Sequence, residues 1–135
     1  MATASATLRV NVPATTVWTL VGGFQSLPDW LPFIASSEAS EGGRVRTLTT
    51  EDGAVIVEKL QTFDEANRTY SYSIVSGPFP VTHYLATLQV AAAGEQASVI
   101  TWSGSFTPQG VSDAEAEAIF QGVYQGGLDA LKANF

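Results

Sequence analysis

Apolar and polar residues alternate from Ala4 to Val12, with Ala4, Ala6, Leu8, Val10 and Val12 on one side and Ser5, Thr7, Arg9 and Asn11 on the other. A period of two predicts a half-buried strand. Proline suits the first position of a helix, so Pro13 ends the strand and starts a short helix whose face is Val17, Trp18 and Val21, stopped by Gly22-Gly23. Pro28 and Pro32 then limit the segment from Phe24 to Phe33 to a second short helical turn carrying Leu27, Trp30, Leu31 and Phe33.

From Ile34 onward the pattern is a series of β-type runs: Ile34 to Ala39, Arg44 to Thr50, Ala54 to Phe63, Thr69 to Ser76, Thr82 to Ala92 and Ser98 to Thr107. Turn signals separate them, and Asp52-Gly53 has the form of a two-residue hairpin loop. The tail changes period. Ser112-Asp-Ala-Glu115 resembles a capping box, and Ile119, Phe120, Val123, Tyr124, Leu128 and Leu131 recur at helical spacing, which predicts one long amphipathic helix from Ser112 to Phe135. Gly122, Gly126 and Gly127 inside it cost about 1 kcal/mol each relative to alanine, a loss expected where a neighbour comes close or the helix bends. One strand, two short helices, six strands and a long helix give an α+β fold; strands and helices do not alternate, which disfavours a doubly wound parallel sheet. No repeat or linker divides the 135 residues, which are expected to form a single domain.

Charge and composition narrow the partners. Thirteen acidic residues against six basic ones give a formal charge of −7, a sign that repels phosphate backbones and anionic lipid surfaces, so nucleic acid and stable membrane association are both disfavoured. Without cysteine and with one histidine, His83, neither thiolate chemistry nor a histidine-rich metal site is expected, and no bound metal is foreseen. No basic-then-apolar leader is visible at the start, so the cytoplasm is the expected compartment.

Val12-Pro-Ala-Thr-Thr-Val-Trp18, Leu27-Pro-Asp-Trp-Leu-Pro32, Val57-Glu-Lys-Leu60, Thr69-Tyr-Ser-Tyr72 and Ile100-Thr-Trp-Ser-Gly-Ser-Phe106, in that order and spacing, resemble the START-like helix-grip (SRPBCC) superfamily. Within it the chain is similar to the polyketide cyclase/dehydrase and lipid-transport-like proteins. The resemblance covers essentially the whole chain. It implies a helix-grip fold, in which a seven-stranded, curved antiparallel sheet wraps a long C-terminal helix around a pocket. A mobile loop over the pocket of the abscisic-acid receptors, distant relatives, resembles Ser76-Gly-Pro-Phe-Pro80, whereas their histidine-containing latch has no match in Ala93-Gly-Glu-Gln-Ala97.

Strand parity selects the side chains that face such a pocket, because successive residues point to opposite sides. The apolar register places Ile56, Glu58 and Leu60, then Tyr70, Tyr72 and Ile74, on the concave side. Tyr84, Ala86, Leu88 and Val90, and Ile100, Trp102, Gly104 and Phe106, continue that surface. Trp30, Phe33, Phe120 and Tyr124 would close the ends, with Phe79 above in the loop. Among these, Glu58 is a carboxyl in apolar company; desolvation there would raise its pKa and fit it for proton transfer, unless it sits at a wet mouth or pairs with Arg44, Arg46 or Lys59. His83 has the outward parity of its strand, an orientation that a bulge after Pro80 would reverse.

Two functions follow from this surface. The first is non-enzymatic binding of a small hydrophobic molecule, aromatic or polycyclic and polyketide- or lipid-like, walled by Trp30, Phe33, Ile56, Tyr70, Ile74, Phe79, Trp102, Phe106, Phe120 and Tyr124. The second is a cofactor-independent polyketide cyclase, dehydratase or lyase, with Glu58 as acid/base and Tyr72 or Tyr84 polarising a carbonyl. A protein-interaction module of the co-chaperone type is a weaker third. The chain is expected to act as a monomer or homodimer.

Overall fold

The computed structural model describes residues 2–135. The chain forms β1 (Ala2–Val10), α1 (Ala14–Val21), α2 (Leu27–Trp30), β2 (Ile34–Ser40), a 3-10 turn (Glu41–Gly43), β3 (Val45–Thr50), β4 (Val55–Asp64), β5 (Thr69–Ser76), β6 (Val81–Ala92), β7 (Ser98–Pro108) and α3 (Asp113–Lys132). All seven strands are antiparallel in one sheet ordered β1-β7-β6-β5-β4-β3-β2, so the first strand follows the last and the two short helices span the gap between the sheet's outer strands. This is the helix-grip arrangement, with α3 in the hollow of the curved sheet.

Pairing explains where elements end. β1 stops two residues before Val12 because its ladder with β7 ends at the Val10–Ser98 pair, and the Ser98 hydroxyl then donates to the Val12 carbonyl at 3.0 Å. Edge strand β1 would otherwise expose unpaired amides. The Thr3 N–H donates to Glu117 Oε2 at 3.0 Å and the Ser5 N–H to Gln121 Oε1 at 3.3 Å. The two contacts are two residues apart on the strand and four apart on the helix, a match of periods that covers this part of the edge against pairing with another chain. At the start of α3 the capping box is complete: Ser112 Oγ accepts from the Glu115 N–H at 3.1 Å and Glu115 Oε1 from the Ser112 N–H at 3.4 Å.

Four departures from simple alternation occur in the sheet, one of them an extra residue, Ala35, on β2 between the Ile34–Thr50 and Ser36–Thr49 pairs. On β5 an extra residue, Val75, bulges outward between the Val57–Ser76 and Glu58–Ile74 pairs; on β4 Gln61 does the same between Leu60–Tyr72 and Thr62–Ser71. Beyond Gln61 the parity of β4 is inverted, which turns Phe63 onto Trp18 and Tyr70 with ring centroids 5.7 and 6.4 Å away. The fourth bulge lies between Thr82 and Leu85, where His83 has a positive φ of 53°. This bulge leaves His83 exposed, because the extra residue is absorbed in a left-handed backbone step that keeps Tyr84 inward.

Gly127 carries the close approach anticipated for the glycines of the last helix. A Cβ there would lie 2.6 Å from the Trp102 ring and 2.9 Å from Leu31, whereas Gly122 and Gly126 face open space. Among the described residues no helix is long and apolar enough to cross a membrane.

Candidate functional site

Curvature of the sheet and the seating of α3 leave an internal cavity of about 170 Å³ at the end of the hollow away from β1. The sheet contributes Leu48, Thr50, Ile56, Glu58, Tyr72 and Ile74, then Tyr84 and Trp102. Leu27, Leu31 and Phe33 come from α2 and the turn after it, Ile34 from the start of β2, and Phe120 and Val123 from α3. Phe79 closes the roof from the β5–β6 loop, its ring centroid 5.0 Å from that of Phe120. A shallow outer groove shares Phe33, Thr50, Ile56 and Phe79 with the cavity, so this side is the thinnest part of the wall.

The polar feature of the wall is an ion pair. Arg46 and Glu58 are directly opposite on β3 and β4, and both are buried. Glu58 Oε1 accepts from Arg46 Nε at 2.8 Å and lies 2.7 Å from Arg46 Nη2, while Arg46 Nη1 donates to the Phe24 carbonyl at 2.7 Å. The guanidinium packs against the rings of Phe24, 4.1 Å from its centroid, and Tyr72, at 4.7 Å. Arg46 is thereby held behind the wall, its Nη2 in ion contact with Glu58 but without a hydrogen bond of its own. Glu58 forms part of the cavity surface, and no protein hydrogen bond among the described residues uses its Oε2. Burial pushes the Glu58 carboxyl above its ordinary range, against the pull of Arg46, and Glu58 in turn holds Arg46 firmly protonated.

Asp52-Gly53 does not make the two-residue loop expected of it. The Thr50 amide donates to the Ala54 carbonyl at 2.9 Å, so the loop is Glu51, Asp52 and Gly53, with Gly53 at φ 89°. A two-residue loop would put Arg46 opposite Lys59; the three-residue loop shifts the register by one and delivers Arg46 to Glu58. Of the three partners considered for Glu58, Arg46 is the one found, and Arg44 and Lys59 are exposed.

Four buried tyrosines extend the polar network. The Trp102 indole N–H donates to the Tyr72 hydroxyl at 2.9 Å, and the Tyr84 and Tyr124 hydroxyls form a short hydrogen bond. A Cβ on Gly104 would lie 2.2 Å from the Tyr124 hydroxyl, so only glycine leaves space for that pair. Desolvation raises the pKa of Tyr70, Tyr72, Tyr84 and Tyr124, so all four are phenols at neutral pH.

The residues expected in the wall are divided by the structure. Glu58, Tyr72 and Tyr84 share the cavity wall with Phe33, Ile56, Ile74, Phe79, Trp102 and Phe120. Trp30, Tyr70, Phe106 and Tyr124 lie outside it. Trp30 packs edge-on against Trp102 from behind, Tyr70 joins Trp18 and Phe24 at the other end of the hollow, and Phe106 and Tyr124 back Tyr84 and Phe120. Parity reports the concave side but not the position along it, and the hollow is longer than the cavity. Leu27, Leu31, Ile34, Leu48, Thr50 and Val123 are wall residues that the site selection omitted. Leu48 and Thr50 were accessible from the sequence, because they share parity with Arg46 on the strand facing Glu58.

The family model described as polyketide cyclase / dehydrase and lipid transport matches residues 1–135. Among solved structures, the chain is 48% identical to the XoxI protein of Bacillus cereus, covering 100% of this chain and 96% of that one with a TM-score of 0.97. A Bacillus thuringiensis protein described as uncharacterised is 47% identical over 99% of this chain and 98% of its own, also with a TM-score of 0.97. A START superfamily protein from Mycobacterium smegmatis is 16% identical over 98% of this chain and 95% of its own; its TM-score of 0.80 reports the shared fold. No curated protein matches.

Proposed function

Because this chain belongs to the polyketide cyclase/dehydrase and lipid-transport family, we propose that it binds a small hydrophobic molecule in the cavity between the sheet and α3. The observation carrying this reading is the composition of the wall: aliphatic and aromatic side chains from sheet, helices and loops converge on one partly open cavity, with Thr50, Glu58, Tyr72 and Tyr84 as its polar points. Such convergence of apolar surface and a few polar groups is the ordinary form of a ligand site. Leaving it unfilled forfeits dispersion contacts around the whole wall, an energy that a ligand recovers. The ring-lined loop with Phe79 and the shared wall at Phe33 suit entry from the side of the outer groove.

Native mass spectrometry of the protein from its own source, set against the mass of the denatured chain, tests this. A retained apolar molecule that is absent from the cavity-filling variant Ile74→Trp supports binding in the cavity; a molecule retained equally by that variant places it elsewhere and contradicts the proposal.

One observation favours a second function, cofactor-independent proton transfer of the cyclase, dehydratase or lyase type. Glu58 combines a raised pKa with a carboxylate oxygen available to the cavity, beside the Tyr72 and Tyr84 phenols that could polarise a carbonyl. Its salt bridge to Arg46 works against this by stabilising the ionised form and fixing the carboxylate in place. Turnover of a bound carbonyl compound that disappears in Glu58→Gln while binding persists would establish the catalytic function over simple carriage.

A further inference from the structure

We infer that the ligand is a single-ring, uncharged molecule bearing a hydroxyl group, with that hydroxyl seated between Glu58 Oε2 and the Tyr72 and Tyr84 phenols, and that the site excludes carboxylates. The inference rests on the binding function proposed above and specifies its ligand. Three observations carry it, the first being size. A cavity of about 170 Å³ is close to the roughly 150 Å³ apolar cavity that accommodates benzene, and well below the roughly 300–1,000 Å³ of sites for drug-sized ligands. A fused polycycle does not fit without displacement of the wall.

The second observation is the allocation of charge. Anionic lipids and acids need a cation in the wall, and the buried cation here is directed elsewhere: Arg46 Nε donates to Glu58, Nη2 stands 2.7 Å from the same Glu58 oxygen, and Nη1 donates to the Phe24 carbonyl. Arg46 also stands behind the Tyr72 ring, outside the cavity wall. What the cavity receives from the pair is the carboxylate side. A ligand carboxylate would bring a second negative charge to a buried Glu58, with no cationic side chain among the residues lining the cavity to offset it.

The third is the donor and acceptor pattern. Glu58 Oε2 can only accept a hydrogen bond while ionised. The Tyr72 hydroxyl accepts from Trp102 and retains its own proton to donate, and the Tyr84–Tyr124 pair uses one of its two protons internally. The ring centroids of Tyr72 and Tyr84 are 6.1 Å apart, and both residues line the same small space as Glu58. A hydroxyl donates and accepts at one atom and satisfies both; an ether or ketone leaves Glu58 without a donor, and an unsubstituted ring leaves every group unmatched.

Isothermal titration of the intact protein with 4-methylphenol, toluene and 4-methylbenzoate, together with the neutral polycyclic probe N-phenyl-1-naphthylamine, tests the inference without any substitution. Binding of 4-methylphenol at least about tenfold tighter than toluene, with 4-methylbenzoate weakest, is expected from a hydrogen bond to a charged acceptor. Equal affinity for toluene and 4-methylphenol, or a preference for the carboxylate, overturns the inference while leaving a hydrophobic binding site in place. Binding of the polycyclic probe alone overturns the size assignment and again leaves the binding function. If none of the four binds, the binding function fails along with the inference.

Discussion

At the scale of single residues the site is organised by a few side chains whose surroundings leave them little choice. Arg46 and Glu58 are buried together, and removing one leaves the other as an uncompensated charge, a loss of about 3–5 kcal/mol. Arg46→Met and Glu58→Gln should therefore each lower the stability read from denaturant unfolding by an amount in that range. The double variant should lose less than the sum, and strictly additive losses would show that the pair is not coupled. Gly104 and Tyr124 provide an independent check. Gly104→Ala drives a methyl into the Tyr124 hydroxyl and should cost about 1–3 kcal/mol, whereas in a Tyr124→Phe background the nearest contact becomes the ring carbon at 3.3 Å and most of the loss should disappear. An equal penalty in both backgrounds would place the strain elsewhere.

Glu58 also shows how much of the site the sequence could disclose. Its buried, inward position followed from strand parity, because Ile56 and Leu60 flank it in an apolar register. The choice of Arg46 as its partner did not, because it depends on one residue of loop length at Glu51–Gly53, and Asp-Gly is compatible with both loops. Tyr70 and Phe106 were assigned to the wall for a related reason: parity fixes the side of a sheet, while distance along the hollow depends on how α3 is seated, and the same seating leaves Trp30 and Tyr124, assigned to its ends, behind the lining. The bulges at Val75 and Gln61 were equally hidden, since a bulge is set by the partner strand as much as by its own, whereas His83 has the exposed position that its parity gave.

At the scale of elements, α3 ties the hollow together, and its glycines separate two kinds of position. Gly127 allows Trp102 and Leu31 to touch the helix backbone, so Gly127→Ala should destabilise by about 1–3 kcal/mol through overpacking. Its neighbour Gly126 is exposed, with no atom within 4 Å of the place an added methyl would occupy, and Gly126→Ala should stabilise by roughly 1 kcal/mol through helix propensity alone. Thermal unfolding of the two variants should move in opposite directions, and a shared direction would contradict the helix seating. The long helix was legible from its capping box and periodicity, and its contact with β1 was not, because Glu117 and Gln121 have the appearance of ordinary solvated residues. In the β5–β6 loop, the roof position of Phe79 predicts that amide hydrogen exchange from Gly77 to Val81 slows when a ligand is bound. Exchange unchanged by a saturating ligand would remove this loop from the entry route.

At the scale of the whole molecule, burial of four tyrosines links stability to alkaline pH. Unfolded tyrosines lose their protons near about pH 10, whereas the folded protein retains them because desolvation raises each pKa. The unfolded state then binds fewer protons than the native one, so stability should fall as pH rises above about 10. Denaturant midpoints from about pH 8 to pH 11 measure this, and Tyr84→Phe should flatten the decline; a flat profile in the unsubstituted protein would contradict the burial. The overall architecture was the most legible level, because strand alternation, turn residues and the capped C-terminal helix all point to one sheet around one helix. Cavity dimensions were the least legible, since they are a small difference between the volume the sheet encloses and the volume its side chains fill.

The central claim is that the cavity beneath Phe79 is a site for a small hydrophobic molecule, and methyl-resolved NMR during titration with 4-methylphenol tests it most directly. Saturable shifts concentrated on the methyls of Leu31, Ile34, Leu48, Ile56, Ile74 and Val123, with those of the exposed Val55, Val75 and Leu85 unmoved, are the predicted result. Shifts confined to the exposed methyls, or none at concentrations where a single ring should fill the cavity, would contradict it.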